Sequence, residues 1–477
     1  MKTLALKIKN FFRIDKSLFT VEDQKGKLAL FALTIPIFLE NISGHFIGML
    51  QTMMSANFMD GFFVDPSAIA SAVSSPLISI ASLVTVGMGI ILSINLGRRR
   101  YEDCKTIIGT AFMVDMLICI LLYSSCIIFP EELISLMGYN TPEYAEQFPY
   151  AVAFLRNRGW ANMITHIPIL FLGVLRCYGY TKVGFYATTI TAALNVVLTY
   201  IFLYVIVPPM EYVVIGMVII QAICGVVKLA LTITYLVLKK IPVSFRFKFK
   251  WCKAILKVGV PATIAHTIYV VTSTLITRIC VSLGKDSLQT RIYVQELVYY
   301  VYIFGYSIAN ANQIMIGRVC GMGDLDKADR MMKQNYKLVA SFNVVFSLIF
   351  ASFGWLILKY GYSASDAVVA IAVPVFLVDV FVELGRGINH VGQNGLNATG
   401  DVTYTSVVSI VAGFVCSVGL AYVLGIFFNL GLLGIWIAYA ADEIVRATIY
   451  LVRWCRGGWR KSFKKELKHL EKTEQPA

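Results

Sequence analysis

The stretch that decides the fold occurs twice, as LRCYGYTKV at Leu175–Val183 and as LNATGDVTY at Leu396–Tyr404. Their central glycines, Gly179 and Gly400, lie 221 positions apart. Four further pairs keep nearly the same separation: Pro36 and Pro261, Gly97 and Gly321, Gly138 and Gly361, and Gly216 and Gly434. A separation that drifts by a few residues indicates a duplicated chain whose loops have since changed length. Internal repeats in a multi-pass protein are typical of transporters.

The composition places both copies of the repeat in a membrane. The 477 residues are 57% hydrophobic and only 15% charged, with a mean hydropathy of +0.71. A hydrocarbon core about 30 Å thick requires about 20 apolar residues per helix. The sequence predicts twelve such spans: 28–56, 67–96, 106–128, 148–174, 183–207, 212–238, 254–283, 289–317, 335–358, 367–396, 403–427 and 431–453.

A basic segment, KKIPVSFRFKFKWCK, separates the two halves and predicts the domain organisation. The predicted parts are an amphipathic N-terminus (1–27), an N-terminal lobe (28–238), a linker (239–253), a C-terminal lobe (254–455) and a basic tail (456–477). Six spans per lobe make the repeats parallel. We therefore predict an all-α integral membrane protein of twelve helices, in two pseudo-symmetric six-helix bundles around a central cavity.

The distribution of charge predicts orientation and excludes nucleic acid as a partner. The chain carries a net charge of +14. With the N-terminus placed inside the cell, Lys285 and Lys359 are the basic residues in outward loops, which are otherwise acidic. This asymmetry follows the positive-inside rule and predicts a multi-pass plasma-membrane protein with both termini in the cytoplasm. The basic tail (Arg460 to Lys468) is expected to be solvated and attracted to anionic lipid headgroups.

Other targeting and ligand signals are weak. Residues 1–19 mix basic and apolar side chains without the continuous apolar core of a cleavable signal peptide, and predict an interfacial helix instead. The ten cysteines are scattered singly, which predicts neither disulfides nor a zinc motif. We predict no metal site and no cofactor other than a coupling ion.

Several segments together resemble the multidrug and toxic compound extrusion (MATE) family over residues 28–455. They are Pro36 with the helix after it, GMGDLDKADR (Gly321–Arg330), LRCYGYTKVGFYATTITAALNVVLTY (Leu175–Tyr200) and GLLGIWIAYAADEIVRA (Gly431–Ala447). The resemblance implies twelve helices in two lobes with a central cavity. It also implies export driven by entry of protons or sodium, without enzyme activity.

The N-terminal lobe departs from the family pattern at its binding cluster. Family members commonly carry an Asp on the first helix, where this chain has Gln51. The family's polar partners on the fifth and sixth helices correspond to Asn195, Thr199 and Gln221. This cluster can hydrogen-bond a substrate or coordinate sodium through its oxygens. Without a carboxylate it cannot carry a proton.

The C-terminal lobe departs from the pattern as well. Family acids on the seventh and tenth helices are replaced by Tyr269 and Arg386. The resemblance therefore leaves the choice between proton and sodium coupling open. Asp379 and Glu383 on the tenth span, with Glu296 on the eighth, are the replacement candidates for the coupling acid.

The tenth span carries a polar stripe, because Asp379, Glu383, Arg386 and His390 recur every three to four residues on one helical face. Polar groups facing lipid are very unfavourable, so the stripe is expected to line the cavity or a helix interface. The alternative is a structural Glu383–Arg386 ion pair that orients helices. Such a pair would also hold Glu383 ionised and make it a poor proton carrier.

Two smaller ion-pair predictions are structural. Arg446 is expected to pair with Asp442 one turn earlier. Asp115 on the third span is expected to pair with Arg156 or Arg158 on the fourth. Tyrosines on the eighth span suit flat amphipathic substrates, although helix packing explains them equally well.

We therefore predict a monomeric ion-coupled antiporter that exports small organic molecules, including drugs, by alternating access. Membrane lipids are its expected surroundings. The alternative is a lipid-linked oligosaccharide flippase of the same superfamily, in which Arg156, Arg158 and Arg386 would bind pyrophosphate. An intramembrane enzyme is disfavoured, because the sequence shows no catalytic His/Asp/Ser grouping near a membrane face.

Overall fold

The protein is described by a computed structural model over residues 20–23, 26–56, 63–137, 140, 145–362 and 364–472. The helices of the first half are α1 (Leu30–Ala56), α2 (Val64–Ala81), α3 (Leu83–Gly97), α4 (Tyr101–Ile128), α5 (Pro130–Leu136), α6 (Phe148–Cys177), α7 (Thr181–Tyr200) and α8 (Met210–Leu238). Those of the second half are α9 (Phe249–Ser282), α10 (Lys285–Gly321), α11 (Leu325–Leu356), α12 (Asp366–Ala398), α13 (Val402–Ala412), α14 (Leu420–Tyr422), α15 (Gly431–Cys455) and α16 (Gly458–Lys472).

Each predicted span falls on a long helix or on a helix with a short break. Ten of the described helical segments are long and apolar enough to cross a membrane. The other two predicted spans are α10 and α15, whose polar residues lower their hydropathy; α15 alone buries Asp442, Glu443 and Arg446. Both were among the twelve spans predicted from the sequence. The predicted all-α membrane fold with two repeated halves is confirmed.

The helices form two compact units. The N-terminal unit contains residues 36–92 and 101–263, and the C-terminal unit contains residues 20–35, 93–100 and 264–472. In the N-terminal unit an apolar core gathers α2, α6 and α8 around Phe63, Phe154 and Leu203. In the C-terminal unit a larger core gathers α9, α10, α12 and α15 around Phe376 and Trp436.

Glycines bring helix backbones into direct contact within each unit. In the N-terminal unit, a side chain on Gly87 would lie 3.1 Å from the Cα of Gly259. In the C-terminal unit, a side chain on Gly97 would lie 3.0 Å from the Cα of Gly321, its repeat equivalent, and would collide with the carbonyl of Arg318. Small residues allow this close approach where lipid gives no hydrophobic drive for association.

Several helices are interrupted within a single predicted span. The second span is divided at Ser82 into α2 and α3. Segments of π-helix follow four of the helices. Ile201–Ile206 follows α7, Ile357–Gly361 follows α11, Gly413–Gly419 follows α13 and Val423–Phe427 follows α14. The equivalent prolines Pro36 and Pro261 lie inside α1 and α9, as the repeat predicts.

The linker is attached to the N-terminal unit. Residues 241–248 have no regular secondary structure, and α9 begins at Phe249 rather than at residue 254. The hydroxyl of Thr110 on α4 donates to the carbonyl of Arg246 at 3.3 Å and accepts from the backbone N–H of Lys248 at 3.2 Å. The backbone N–H of Ser244 donates to the carbonyl of Lys105. These contacts hold the linker against α4.

The two ends of the chain differ from expectation. The predicted interfacial helix at 1–19 lies outside the described residues. Residues that follow it form a hairpin of strands β1 (Thr20–Asp23) and β2 (Gly26–Ala29), antiparallel with Thr20 opposite Ala29. Its hydrogen bonds satisfy backbone groups before α1 begins.

The basic tail forms a packed helix, α16, instead of remaining solvated. One face buries Trp459, Phe463 and Glu466, while the lysines between them face outward. Trp459 stacks on Trp454 of α15 with ring centroids 4.3 Å apart. Arg460 contacts Asp326 at 2.7 Å. Because the buried residues recur at helical spacing, the tail follows the amphipathic pattern of a helix that packs on a surface.

Substitution of Gly400 tests the packing of α16 against the rest of the C-terminal unit. It has a left-handed backbone (φ +81°), and an added Cβ would lie 2.9 Å from the Cβ of Glu466 on α16. Gly323 is also left-handed (φ +88°) but has open space beside it. Gly323→Ala should cost about 1–2 kcal/mol from backbone strain alone. Gly400→Ala should cost more and should release α16. Thermal unfolding in detergent and proteolysis of α16 measure both effects; equal effects of the two variants would contradict the described packing.

Candidate functional site

The polar stripe of α12 lies in the interior of the C-terminal unit, as predicted. Asp379 and Glu383 are buried, and the side chain of Arg386 is 14% exposed. The guanidinium of Arg386 forms an ion pair with Glu383 one turn earlier. Asn343 of α11 donates to the carbonyl of Glu383 at 2.9 Å. The Glu383–Arg386 ion pair expected from the sequence is therefore present.

Helix α15 supplies partners that the sequence prediction missed. Glu443 accepts from the Nε of Arg386 at 3.2 Å and from Asn389 at 2.6 Å. Trp436 donates its indole N–H to Asp379 at 3.0 Å. The signal was present in GLLGIWIAYAADEIVRA, where two adjacent acids interrupt an apolar helix.

A second ion pair extends the cluster along α15. Arg446 pairs with Asp442, as predicted, and lies 3.7 Å from Glu443. Glu443 therefore bridges the two arginines. We call the set of Asp379, Glu383, Arg386, Asp442, Glu443 and Arg446 the acidic cluster.

The acidic cluster contains more acids than bases. Four carboxylates share two guanidinium groups, so the fully ionised cluster carries a net charge of −2. One oxygen of Asp379 and one of Asp442 have no hydrogen-bond partner among the described residues. An uncompensated buried charge is very costly, and a buried acid is neutralised by a proton or a cation instead. The cluster can therefore bind additional positive charge.

Aromatic residues lie beside the acidic cluster. The guanidinium of Arg386 lies 5.7 Å from the ring centre of Tyr302 on α10. His390 is half-buried, with its ring centre 5.5 Å from that of Tyr302 and 5.8 Å from that of Tyr306. Tyr269 of α9 is 41% exposed, and its phenol is near enough to interact electrostatically with Arg386. The structure thus brings Tyr269 and His390 to the same region as Arg386.

Glu296 lies on α10 nearer its N-terminus than Tyr302 and Tyr306. It is half-buried, and its charge acts on the phenols of Tyr299 and Tyr362. It remains a candidate for ion binding on the strength of its position inside a membrane helix.

In the N-terminal unit, the predicted neutral cluster is partly assembled. Thr199 lies 3.5 Å from the side-chain oxygen of Asn195 one turn earlier on α7. Asn195 also hydrogen-bonds Cys224 on α8, one turn after the half-buried Gln221. The backbone of Gln51 belongs to α1, but its side chain lies outside the described residues.

The N-terminal unit also contains an ion pair that the sequence prediction missed. Glu40 of α1 contacts Arg176 of α6 at 2.7 Å. Its carboxylate lies against Gly184 of α7, where an added Cβ would be 3.0 Å from the Glu40 Cδ. Lys228 of α8 is close enough to interact with both charges. Glu40 is therefore compensated by two bases.

The predicted pairing of Asp115 with an arginine is wrong. Asp115 lies 3.4 Å from His166 instead. Arg158 bonds the hydroxyl of Ser71 on α2, and Arg156 lies 3.9 Å from Glu131 of α5. The two arginines are drawn toward α2 and α5, because both sit nearer the start of α6 than His166 does.

Two repeated sets of membrane helices, with ion-pair clusters buried inside them, define a multi-pass membrane transporter. The sequence model of the MatE family matches residues 36–201 and matches a second time over residues 261–423. The chain therefore belongs to the MatE family, which is a family of transporters rather than of enzymes.

Individual relatives agree with this membership. The chain is 26% identical over 445 residues to an "Uncharacterized transporter YisQ" of Bacillus subtilis, covering 90% of this chain and 94% of that one. It is 23% identical to the "Probable multidrug resistance protein YoeA" of the same organism, covering 85% and 89%. A solved outward-facing multidrug resistance MATE family transporter superimposes with a TM-score of 0.81 at 17% identity, covering 94% of this chain and 98% of that chain.

Proposed function

We propose that this protein is an ion-coupled antiporter that exports small organic molecules from the cell by alternating access. The observation that carries the proposal is the charge excess of the acidic cluster, with four carboxylates against two arginines inside membrane helices. Ionisable groups inside a membrane are expensive and mark ion or substrate pathways. The cluster therefore has a physical reason to take up a cation in each cycle.

Asp379 and Asp442 are the groups that we propose bind the coupling ion. Both carboxylate oxygens of Glu383 are engaged, one by Arg386 and one by Asn343, and Glu443 is engaged by both arginines and by Asn389. Asp442 pairs with Arg446 through one oxygen only. Asp379 has only the neutral indole of Trp436 as a hydrogen-bond donor in the described structure, and one oxygen of Asp442 is unpartnered. A proton or a sodium ion at either site reduces the negative charge of the cluster. Its release restores that charge and so changes the state of α12 and α15.

The substrate class is proposed from two features. The relative YoeA carries the name of a probable multidrug resistance protein. Tyr269 and Tyr302 offer aromatic faces next to Arg386, which suits flat organic molecules. Gln51, Asn195, Thr199 and Gln221 add neutral polar groups for substrate. We further propose that the protein acts as a monomer in the plasma membrane with both termini in the cytoplasm.

Transport by purified protein in liposomes tests this function. Uptake of a panel of aromatic cations and anions should be accelerated by an imposed pH gradient or by an imposed sodium gradient. Whichever gradient acts identifies the coupling ion. Vesicles without protein, and vesicles with an ionophore that removes the gradient, serve as controls.

The same vesicles separate the exporter from the flippase. A labelled lipid-linked oligosaccharide should remain in its original leaflet. Movement of this lipid between leaflets, combined with no gradient-driven movement of any small molecule, would overturn the proposed function. Conversion of a substrate into a new chemical species would overturn the transporter assignment in favour of an enzyme.

A further inference from the structure

A further cluster of buried polar groups in the N-terminal unit contains none of the residues assigned to transport. It consists of Asp115, Cys119 and Tyr123 on α4 and His166 on α6. All four residues are at most 2% exposed. We propose that Asp115, Cys119 and His166 bind a divalent transition-metal ion of the zinc class.

The spacing on α4 directs its three polar residues toward His166. Asp115, Cys119 and Tyr123 follow one another at intervals of four residues, which places them on one face of the helix. One ligand atom from each of Asp115, Cys119 and His166 lies within 4.8 Å of the others. Carboxylate, thiolate and imidazole are the three ligand types that zinc uses in proteins.

One edge of this triangle already has the length that a metal requires. Asp115 Oδ1 and His166 Nε2 are 3.4 Å apart. Zinc–oxygen and zinc–nitrogen bonds of about 2.0 Å in a tetrahedral arrangement place two ligand atoms about 3.3 Å apart. The thiol of Cys119 is at most 4.8 Å from the other two atoms and closes the triangle by moving about 1 Å.

The carboxylate of Asp115 is incompletely satisfied in the described structure. Apart from the 3.4 Å contact between its Oδ1 and Nε2 of His166, it has no hydrogen-bond partner among the described residues. Buried polar atoms without partners are rare and costly. A divalent cation satisfies all of them at once. With an ionised Asp115, a Cys119 thiolate and a neutral His166, it also makes the site electrically neutral, which suits an apolar interior.

Tyr123 completes the surroundings of the site as a positioning residue. Its hydroxyl lies 3.3 Å from Nδ1 of His166. Metal-ligating histidines usually donate their other ring N–H to a neighbouring oxygen, which fixes the ring and its tautomer. Here that bond leaves Nε2 facing Asp115. The proposal does not depend on the proposed transport function.

Metal content of the purified full chain tests the site. The protein is prepared with an affinity tag that contains no histidines, equilibrated with Zn²⁺ and freed of excess metal. We expect about one zinc ion per chain by elemental analysis. We expect replacement by Co²⁺ to give the absorption of a tetrahedral cobalt–thiolate centre. Both signals should be lost in Cys119→Ser and in His166→Gln.

Matched variants separate metal binding from loss of fold. Cys126→Ser removes another buried cysteine of α4 that lies outside the triangle, and should retain one ion per chain. Tyr123→Phe should retain the ion with an affinity about 10- to 100-fold lower. A chelator should lower the thermal midpoint of the wild type and of Cys126→Ser, but not that of Cys119→Ser. Wild-type protein that binds no zinc or cobalt, or that binds as much as Cys119→Ser, would mean an internal Asp–His pair only and would overturn the proposal.

Discussion

Asp379→Asn is expected to reduce gradient-driven transport at least about tenfold, which corresponds to about 1.4 kcal/mol in the transport barrier. Asparagine keeps the shape of the side chain and an oxygen that can accept the indole N–H of Trp436, a bond of 3.0 Å in the wild type. It cannot gain or lose a proton, and it attracts sodium less strongly than a carboxylate does. Initial rates in liposomes under the coupling gradient measure the effect. Asp442→Asn should act in the same direction.

Asp366→Asn is the matched control for this variant. Asp366 lies at the start of the same helix, α12, where its side chain is 90% exposed and contacts Lys359 at 3.2 Å. The exchange is chemically identical but lies outside the acidic cluster, so transport should remain close to wild type. Wild-type rates in both Asp379→Asn and Asp442→Asn would exclude the acidic cluster from ion coupling.

Arg386→Met is expected to be among the most destabilising single substitutions in the C-terminal unit. It removes the arginine partner of Glu383 and one of the two arginine partners of Glu443, while methionine fills much of the same volume. Removing one member of a buried ion pair typically costs about 3–5 kcal/mol, because the remaining charge stays buried without compensation. Thermal unfolding of the detergent-solubilised protein should show a large drop in midpoint.

A second substitution should restore much of this loss. In Arg386→Met/Glu383→Gln an uncharged amide replaces the carboxylate that would have lost its arginine. Glu443 retains Arg446 at 3.7 Å. Lys333→Met removes one member of an exposed pair with Asp329 on α11 and should change stability by less than about 1 kcal/mol. A double variant no more stable than Arg386→Met alone would show that the lost stability does not come from the unpaired Glu383.

The course of the chain could be predicted from the sequence because helix length and apolar content follow from the membrane itself. The signal is weaker for α10 and α15, because polar residues interrupt their apolar stretches. The division at Ser82 and the π-helical extensions of α7 and α13 were not predictable. They depend on how neighbouring helices pack, and the glycines that bound the extension of α13, Gly413 and Gly419, do not by themselves distinguish a π-helical turn from an α-helical one.

Helical spacing determines which residues share a face, but not which helix that face meets. For this reason the stripe of Asp379, Glu383 and Arg386 was predicted, whereas its partner Glu443 was missed. Glu443 is 57 residues from Arg386 in the chain, and only tertiary packing of α12 against α15 brings them together. The same limitation explains the wrong partner for Asp115. Charge favoured an arginine on α6, but His166 occupies the facing position.

The hydrogen bonds between Thr110 and the linker affect where the chain tolerates an insertion or a new terminus. A fluorescent reporter or a permuted terminus placed between residues 241 and 248 would have to break the backbone contacts to Thr110 and Lys105. The junction between halves, which looks like the natural place to cut, is therefore a poor one. Gly284 and Gly323, each with open space where a side chain would project, are better points of insertion.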